Sequence, residues 1–242
     1  MEGLSLLFVY GEYMDVNMKI IARIHTDFPE KFGIPRQSGL IDELEGVIVF
    51  EPEYRNEASL KGLDGFSHIW LIWQFSEAVR EGFQPTVRPP RLGGNTKMGV
   101  FATRSPFRPN SIGLSAVRLI AIEKKENLGT VLRVGGADLM DGTPIFDIKP
   151  YLPFVDCRAD AIGGFADEVK DYALKVYFPE KLLEILPQNK RKSVIAVLSN
   201  DPRPSYQNDD REYGLSFAGY NITFIVNDGV LTVLAVEKLN NN

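Results

Sequence analysis

Residues 115–134 read SAVRLIAIEKKENLGTVLRV, and this stretch decides the fold class. It holds two short apolar runs, Ser115–Ile122 and Thr130–Val134, with a polar segment between them. Val and Ile are residues that favour strands. Short apolar runs bounded by turn signals predict β-strands rather than long helices.

The same pattern extends outward from this stretch over residues 18 to about 160. Gly, Pro and Asn clusters separate the apolar runs, and long helical periodicity is nearly absent. Many short strands with frequent turns predict a mostly β domain, either a barrel or a sandwich. The further predicted strands are Lys19–Ile24, Gly46–Phe50, Ser67–Phe75 and Gly99–Thr103.

The pattern changes after residue 160, where we expect a small α+β domain. A strand over Tyr172–Phe178 is followed by helical spacing in Pro179–Leu186 and Asn189–Leu198. An antiparallel meander is then predicted over Leu215–Ala218, Asn221–Val226 and Val230–Val236, with Asn227-Asp228-Gly229 as its last turn. The predicted division is an N-terminal extension over 1–17, whose order the sequence leaves open, a β domain over 18–162 and the α+β domain over 163–242.

Composition and charge exclude several classes of protein. The chain has 242 residues, 44% of them hydrophobic and 24% charged, with a net charge of −5. This balance argues against a disordered chain, a collagen or a coiled coil. Cys157 is the single cysteine, and His25 and His68 lack a metal-ligand spacing, so we expect no metal site. No apolar run approaches the roughly 20 residues that span a bilayer, so we expect no membrane partner.

A basic stretch is the first functional hint. Residues 82–122 contain no Asp or Glu but six cationic residues, in a chain that is acidic overall. These arginines either pair with acids elsewhere in the fold or form a face that binds phosphates, for which the guanidinium fork is suited. The six are Arg88, Arg91, Lys97, Arg104, Arg108 and Arg118.

Three sequence motifs that are typical of common enzyme classes are missing. The chain has no GxGxxG after a strand, no GxxxxGK[ST] and no GxSxG, so the fingerprints of Rossmann folds, P-loops and nucleophile elbows are absent. The acidic segment from Asp138 to Tyr151 could hold a carboxylate pair, or it could be a turn, since Asp-Gly and Thr-Pro favour turns.

Several motifs together resemble one family. They are PRQ at 35–37, FSHIW at 66–70, VRPPRLGGN at 87–95, GVFATRSPFRPNSIGLS at 99–115, DGTPIFDIKPYLP at 141–153 and DPRPSY at 201–206. In these segments the chain resembles the TsaA-like, or TrmO, family of tRNA (adenine37-N6)-methyltransferases. The resemblance runs from about Lys19 to Leu239, and the two long motifs carry most of its specificity.

The resemblance implies a β-barrel methyltransferase fold outside the Rossmann class. It implies S-adenosylmethionine as the methyl donor and a cytoplasmic homodimer with the donor near its interface. The implied substrate is threonine tRNA whose adenosine 37 carries an N6-threonylcarbamoyl group, presented in the anticodon loop. Two alternatives stay open: methylation of another RNA or a small molecule, and a noncatalytic RNA-binding module of the same fold.

The resemblance also implies a donor site. Asp141 is a candidate for the donor's ribose hydroxyls or amine, and Arg36 or Arg104 for its carboxylate. Ser76-Glu77 departs from the His-Gln often found at that place in the family. The implied donor-binding residues are Pro35, Arg36, Gln37, Ser76, Glu77, Arg104, Ile112, Gly113, Leu114, Asp141, Gly142, Thr143 and Pro144.

The acceptor chemistry suggests further residues. The target nitrogen is acylated, so it must lose its proton around attack, and a general base or a cation is expected beside it. Asp147, Lys149 and Tyr151 are the candidates for this reaction centre, with a structural ion pair and a core tyrosine as the alternative. Unpaired bases stack on aromatic side chains, for which Phe101, Phe107 and Tyr151 are candidates. The predicted phosphate contacts are Arg88, Arg91, Arg108 and Arg203.

Overall fold

The computed structural model describes residues 17–79, 82–89, 92, 95–169, 172–203 and 211–239. Arg91 and residues 1–16 lie outside this part of the chain. The described residues are mostly β, as predicted, with few α-helices. The strands are β1 (Ala22–His25), β2 (Glu45–Phe50), β3 (His68–Gln74), β4 (Thr86–Val87), β5 (Met98–Gly99), β6 (Ile112–Lys125), β7 (Gly129–Gly135), β8 (Thr143–Pro150), β9 (Lys175–Tyr177), β10 (Tyr213–Phe217), β11 (Tyr220–Asn227) and β12 (Val230–Lys238); the helices are α1 (Pro153–Asp156), α2 (Glu180–Leu183) and α3 (Gln188–Ser199).

Six strands close into a barrel in the order β1-β2-β7-β6-β3-β8, and each neighbouring pair is antiparallel. In β3 the odd-numbered residues from Ile69 to Trp73 are buried and the even-numbered ones are more exposed. This period of two places one face of the strand inside the barrel. Fully buried Ile24, Ile48 and Leu132 pack with them in the barrel core.

The remaining strands form mainly one four-stranded sheet in the order β10-β11-β12-β9. The first three are the predicted antiparallel meander, whereas β9 is parallel to β12. A parallel neighbour needs a crossover connection, and α2 and α3 follow β9 before the chain enters β10. Helix α3 buries Val194, Val197 and Leu198 in the core of this sheet.

Two local predictions need correction. The run Gly99–Thr103 is not a strand beyond Gly99, because Val100–Ala102 forms a 3-10 turn closed by the Thr103 N–H on the Val100 carbonyl. The turn in the 138–151 segment ends before Thr143, and the rest is β8. That strand pairs with both β1 and β3, which closes the barrel.

The connection between β1 and β2 packs against the C-terminal sheet. Its residues Phe28, Ile41 and Leu44 are buried among side chains of the C-terminal sheet. The Ala218 N–H donates to the Asp27 carbonyl at 2.9 Å, and the Ser193 hydroxyl donates to the Glu43 carbonyl at 2.8 Å. The connection therefore lies between the barrel and the C-terminal sheet.

Candidate functional site

The segments that carry the predicted donor-binding residues lie at one end of the barrel. Because neighbouring strands are antiparallel, the β1–β2, β3–β6 and β7–β8 connections all emerge at the same end. The predicted donor residues lie in these connections or in the first residues of β6 and β8. The fold thus places residues from four distant parts of the sequence around one rim.

Gln37 and Arg104 join two of these connections. The Arg104 guanidinium donates a hydrogen bond to the Gln37 side-chain oxygen. The Gln37 amide nitrogen donates to the Arg36 carbonyl at 2.5 Å, which fixes the orientation of the amide. Arg104 is otherwise exposed, so part of its guanidinium fork is accessible to an anionic group such as a carboxylate.

Ser76 and Glu77 form a 3-10 turn directly after β3, beside the start of β6. The Phe75 N–H donates to the Ser111 carbonyl at 2.9 Å, and Gln74 pairs with Ile112 across the two strands. The Lys31 ammonium donates to the Glu77 carbonyl at 2.5 Å and so ties this turn to the β1–β2 connection.

The start of β6 presents an apolar surface. Leu114 is 56% exposed and Ile112 is 37% exposed, both on the outer side of the barrel. Gly113 between them is buried against the Trp73 indole. A ligand or a partner protein could therefore cover apolar area here, next to Ser76 and Glu77.

The turn at Asp141–Pro144 is held by β1. One Asp141 carboxylate oxygen accepts the Thr26 N–H at 3.0 Å and lies 3.1 Å from the His25 ring nitrogen Nδ1. The Gly142 carbonyl accepts a hydrogen bond from Arg23, and the Thr143 hydroxyl donates to the Met140 carbonyl. Asp141 is exposed, whereas Thr143 and Pro144 are buried, so of these residues the carboxylate is the accessible polar group.

Of the three candidate catalytic residues, Asp147 and Lys149 lie on the outer face of β8, and Tyr151 follows the last residue of that strand. The Lys149 ammonium lies 2.8 Å from an Asp147 carboxylate oxygen, and Tyr151 packs at 5.4 Å between ring centroids from Trp70. At about 3.3 Å per residue, Lys149 is roughly 16 Å and Tyr151 roughly 23 Å along the strand from Pro144. Within one chain, the structure does not bring Lys149 and Tyr151 to the rim.

The basic connection between β3 and β6 holds the remaining RNA candidates. Arg88 is exposed and Arg108 is half-buried, and Arg108 donates to the Thr103 carbonyl at 3.4 Å. Phe101 is 74% exposed and its ring lies 6.2 Å from that of Phe83. Phe107 is also exposed. Both aromatic side chains that were proposed here for base stacking are therefore accessible.

Arg203 is placed differently from the sequence-based prediction. Its Nε and one terminal nitrogen donate to the two Asp201 carboxylate oxygens at 2.9 and 3.1 Å, and the residue is 6% exposed. The Tyr172 hydroxyl donates to the same carboxylate. The hydrogen bonds that Arg203 donates to Asp201 raise the pKa of the Arg203 guanidinium. Because this arginine is buried in an ion pair, the structure does not support a phosphate contact there.

Asp138 is a residue at the rim to which the sequence assigned no role. Its carboxylate accepts the Ser115 hydroxyl at 2.6 Å, and the Ser115 oxygen accepts the Trp73 indole N–H at 3.0 Å. Burial raises the pKa of the Asp138 carboxyl, while hydrogen bonds from Ser115 and Ser38 act in the opposite direction. The acidic segment indicated a possible carboxylate pair, but no sequence pattern predicted Ser115 as the hydrogen-bond partner of Asp138.

Among the described residues, no helix is long and apolar enough to cross a membrane. The same residues contain no group of three or more His, Cys, Asp and Glu side chains arranged to hold a metal ion.

Comparisons with known proteins cover nearly the whole chain. Residues 23–157 match the family model for the tRNA-methyltransferase O N-terminal domain, and residues 171–239 match the TrmO C-terminal domain. The chain is 38% identical to the tRNA (adenine(37)-N6)-methyltransferase of Escherichia coli K12, over 90% of this chain and 96% of that protein. It is 40% identical to a putative S-adenosylmethionine-dependent methyltransferase, RcsF, of Pseudomonas aeruginosa, over 81% and 86% of the two chains.

A solved structure agrees with these matches. The crystal structure of TrmO from Pseudomonas aeruginosa superposes with a TM-score of 0.76 at 34% identity, covering 94% of this chain and 99% of that one. One family model covers the barrel and the other covers the C-terminal sheet, and the superposition includes both parts. The chain therefore belongs to the TrmO family of tRNA methyltransferases.

Proposed function

We propose that this protein transfers a methyl group from S-adenosylmethionine to N6 of adenosine 37 in tRNA, and that this adenosine already carries a threonylcarbamoyl group. The observation that carries the proposal is the match over nine-tenths of the chain to a relative named for adenine-37 N6-methylation. Threonine tRNA in the cytoplasm is the proposed substrate. The same match supports a β-barrel methyltransferase over 18–162, outside the Rossmann class, followed by a small α+β domain over 163–242.

The rim of the barrel is the proposed donor site. S-adenosylmethionine supplies an activated methyl group on a sulfonium and carries an amine, a carboxylate, ribose hydroxyls and an adenine. The rim offers matching groups: Arg104 for the carboxylate, Asp141 for the amine or ribose, and exposed Ile112 and Leu114 for apolar surface. Methyl transfer from a sulfonium depends on alignment, so the main task of these residues is positioning. The remaining proposed donor contacts are Pro35, Arg36, Gln37, Ser76, Glu77, Gly113, Gly142, Thr143 and Pro144.

The reaction centre is proposed to need a second copy of the chain. Asp147, Lys149 and Tyr151 are the proposed catalytic residues, with Lys149 or Tyr151 orienting the acylated nitrogen. Because Lys149 and Tyr151 lie far along β8 from the rim of their own chain, we infer that the partner in a homodimer brings them close to a donor. The exposed apolar start of β6 supports this, since contact with a partner would remove Ile112 and Leu114 from water.

The anticodon loop is proposed to lie against the connection between β3 and β6. Phe101 and Phe107 are exposed and can stack on splayed bases. Arg88 and Arg108 remain proposed phosphate contacts, and Arg91, outside the described residues, remains a prediction from the sequence. A single arginine-to-alanine change here is expected to weaken binding of all tRNAs similarly, as phosphate contacts do.

A methylation assay tests the proposal. Purified protein is incubated with labelled S-adenosylmethionine and threonine tRNA, with and without the threonylcarbamoyl group, and the nucleosides are analysed by mass spectrometry. We expect the mass of one added methyl group on the modified adenosine alone. Methylation of both tRNAs would remove the requirement for prior acylation. Donor binding by calorimetry without methylation would point to another acceptor, and absence of both would leave a noncatalytic module.

A further inference from the structure

The barrel encloses a polar chain that the proposed mechanism does not use. The Trp73 indole and the Ser115 hydroxyl face the interior and are 6% and 1% exposed. An indole N–H can only donate, so its bond to Ser115 occupies a lone pair of the hydroxyl oxygen. The single hydroxyl proton therefore points to the Asp138 carboxylate, 2.6 Å away. Trp73 and Ser115 thus fix the orientation of Asp138 from inside the barrel.

The other side of the Asp138 carboxylate faces the β1–β2 connection. The Ser38 backbone and the Arg104 guanidinium both act to lower the pKa of this carboxyl, so both lie close to it. The neighbouring Gly39 N–H donates to the Gly136 carbonyl at 2.9 Å. Residues 38–39 therefore lie against the β7–β8 connection. Gln37, the partner of Arg104, is the residue immediately before them.

The folded protein keeps this carboxylate at a cost in stability. Burial raises the pKa of the Asp138 carboxyl, which means that the charged form is disfavoured by folding. An asparagine has nearly the same shape without that cost. Buried charges that folding disfavours occur preferentially at functional sites, where stability is traded for activity.

We propose that Asp138 is a positioning residue for donor binding: it holds Ser38, and through it Gln37 and Arg104, in the arrangement that receives the donor's carboxylate. The inference rests on the proposed donor site at the rim. Asp138 itself need not touch the donor, because its carboxylate lies between the Ser38 backbone and the hydroxyl of Ser115 in the barrel interior. Its loss should therefore affect the donor and leave tRNA recognition intact.

The test is Asp138→Asn, measured for donor KM, tRNA KM, kcat and melting temperature. The variant removes the negative charge beside Ser38 and Arg104 and replaces one accepting carboxylate oxygen by an amide NH2, which can only donate. We expect the donor KM to rise about tenfold or more, as for loss of a hydrogen bond to a charged group. The tRNA KM and kcat at saturating donor stay within about twofold. The melting temperature at neutral pH is unchanged or higher.

Asp228→Asn is the matched control, because Asp228 is exposed at the β11–β12 turn and asparagine tolerates its φ of 49°. An unchanged donor KM in Asp138→Asn overturns the proposal. A parallel fall in melting temperature and in the affinities for donor and tRNA also overturns it, since that indicates a purely structural residue. Arg104→Ala tests the proposed contact with the donor carboxylate directly. If the donor KM is normal in Arg104→Ala but raised in Asp138→Asn, the donor carboxylate does not bind at Arg104. Absence of donor binding by the wild-type protein would refute the donor site and this role together.

Discussion

At the scale of single residues, Gly113 shows how tightly the rim is built on the barrel core. A Cβ atom at this position would lie 2.2 Å from the Trp73 ring, and both residues are buried. The indole cannot move away without losing its hydrogen bond to Ser115. The absence of a side chain at 113 is therefore a packing requirement rather than a matter of backbone freedom.

Gly113→Ala is expected to destabilise the protein by about 1–3 kcal/mol, the usual cost of forcing an extra carbon into a packed core. The free energy of unfolding from urea titration measures this loss. Gly65→Ala is the control, since a Cβ there meets no atom within 4 Å and the residue has no positive φ. Equal stability of the two variants would show that Trp73 moves aside without cost.

At the scale of an element, the β1–β2 connection is held on two sides. Toward the C-terminal sheet, Phe32 stacks on Tyr213 with ring centroids 6.4 Å apart. Gly33 has a φ of +90° and lies directly against Leu215. Toward the barrel, Gly39 is bound to Gly136. The segment that carries Pro35, Arg36 and Gln37 is thus shaped by contacts at both of its ends.

Gly33→Ala tests this packing. The left-handed φ costs about 1–3 kcal/mol for a residue other than glycine, and the clash with Leu215 adds about 1–3 kcal/mol. Gly39→Ala, with a φ of +74° and no atom within 4 Å of a Cβ, should show the first cost alone. Unfolding free energies of the single variants and of Gly33→Ala with Leu215→Ala form a double-mutant cycle. Absence of favourable coupling in that cycle would argue against the clash.

At the scale of the whole molecule, the β1–β2 connection links the barrel to the C-terminal sheet. Phe28 is buried in the core of the sheet although it follows β1 of the barrel closely. The Lys190 ammonium lies 2.6 Å from an Asp27 carboxylate oxygen, and both side chains are largely buried. We expect such shared contacts to make the two parts unfold together.

A single unfolding transition is the predicted result. The two tryptophans, Trp70 and Trp73, both lie on β3 and report on the barrel alone, whereas hydrogen exchange of β11 amides reports on the sheet. Phe28→Ala should lower the unfolding free energy seen by both probes equally, by about 3–5 kcal/mol. A fall confined to the β11 amides would mean that the barrel unfolds independently.

Local sequence patterns were enough to identify most strands and the family. Short apolar runs between turn signals predicted β3, β6 and β7, the Asn227-Asp228-Gly229 turn predicted the last hairpin, and the long motifs indicated the relationship to TrmO proteins. These signals are local, because a short apolar run and a tight turn are properties of a few consecutive residues. The 99–103 run shows the limit of this reasoning, since a short apolar run forms a strand only where a partner strand is available.

Which side chains meet became visible only in the folded chain. Ser115 and Asp138 are 23 positions apart, and Thr26 and Asp141 are 115 apart, yet each pair is hydrogen-bonded at the rim. Arg203 and Asp201 are only two positions apart, but their burial depends on the packing around them, and the course of β8 separates Lys149 from the rim. Burial and charge pairing depend on the surroundings that the whole chain creates, so residue types and spacing could indicate candidates for the site but not their partners.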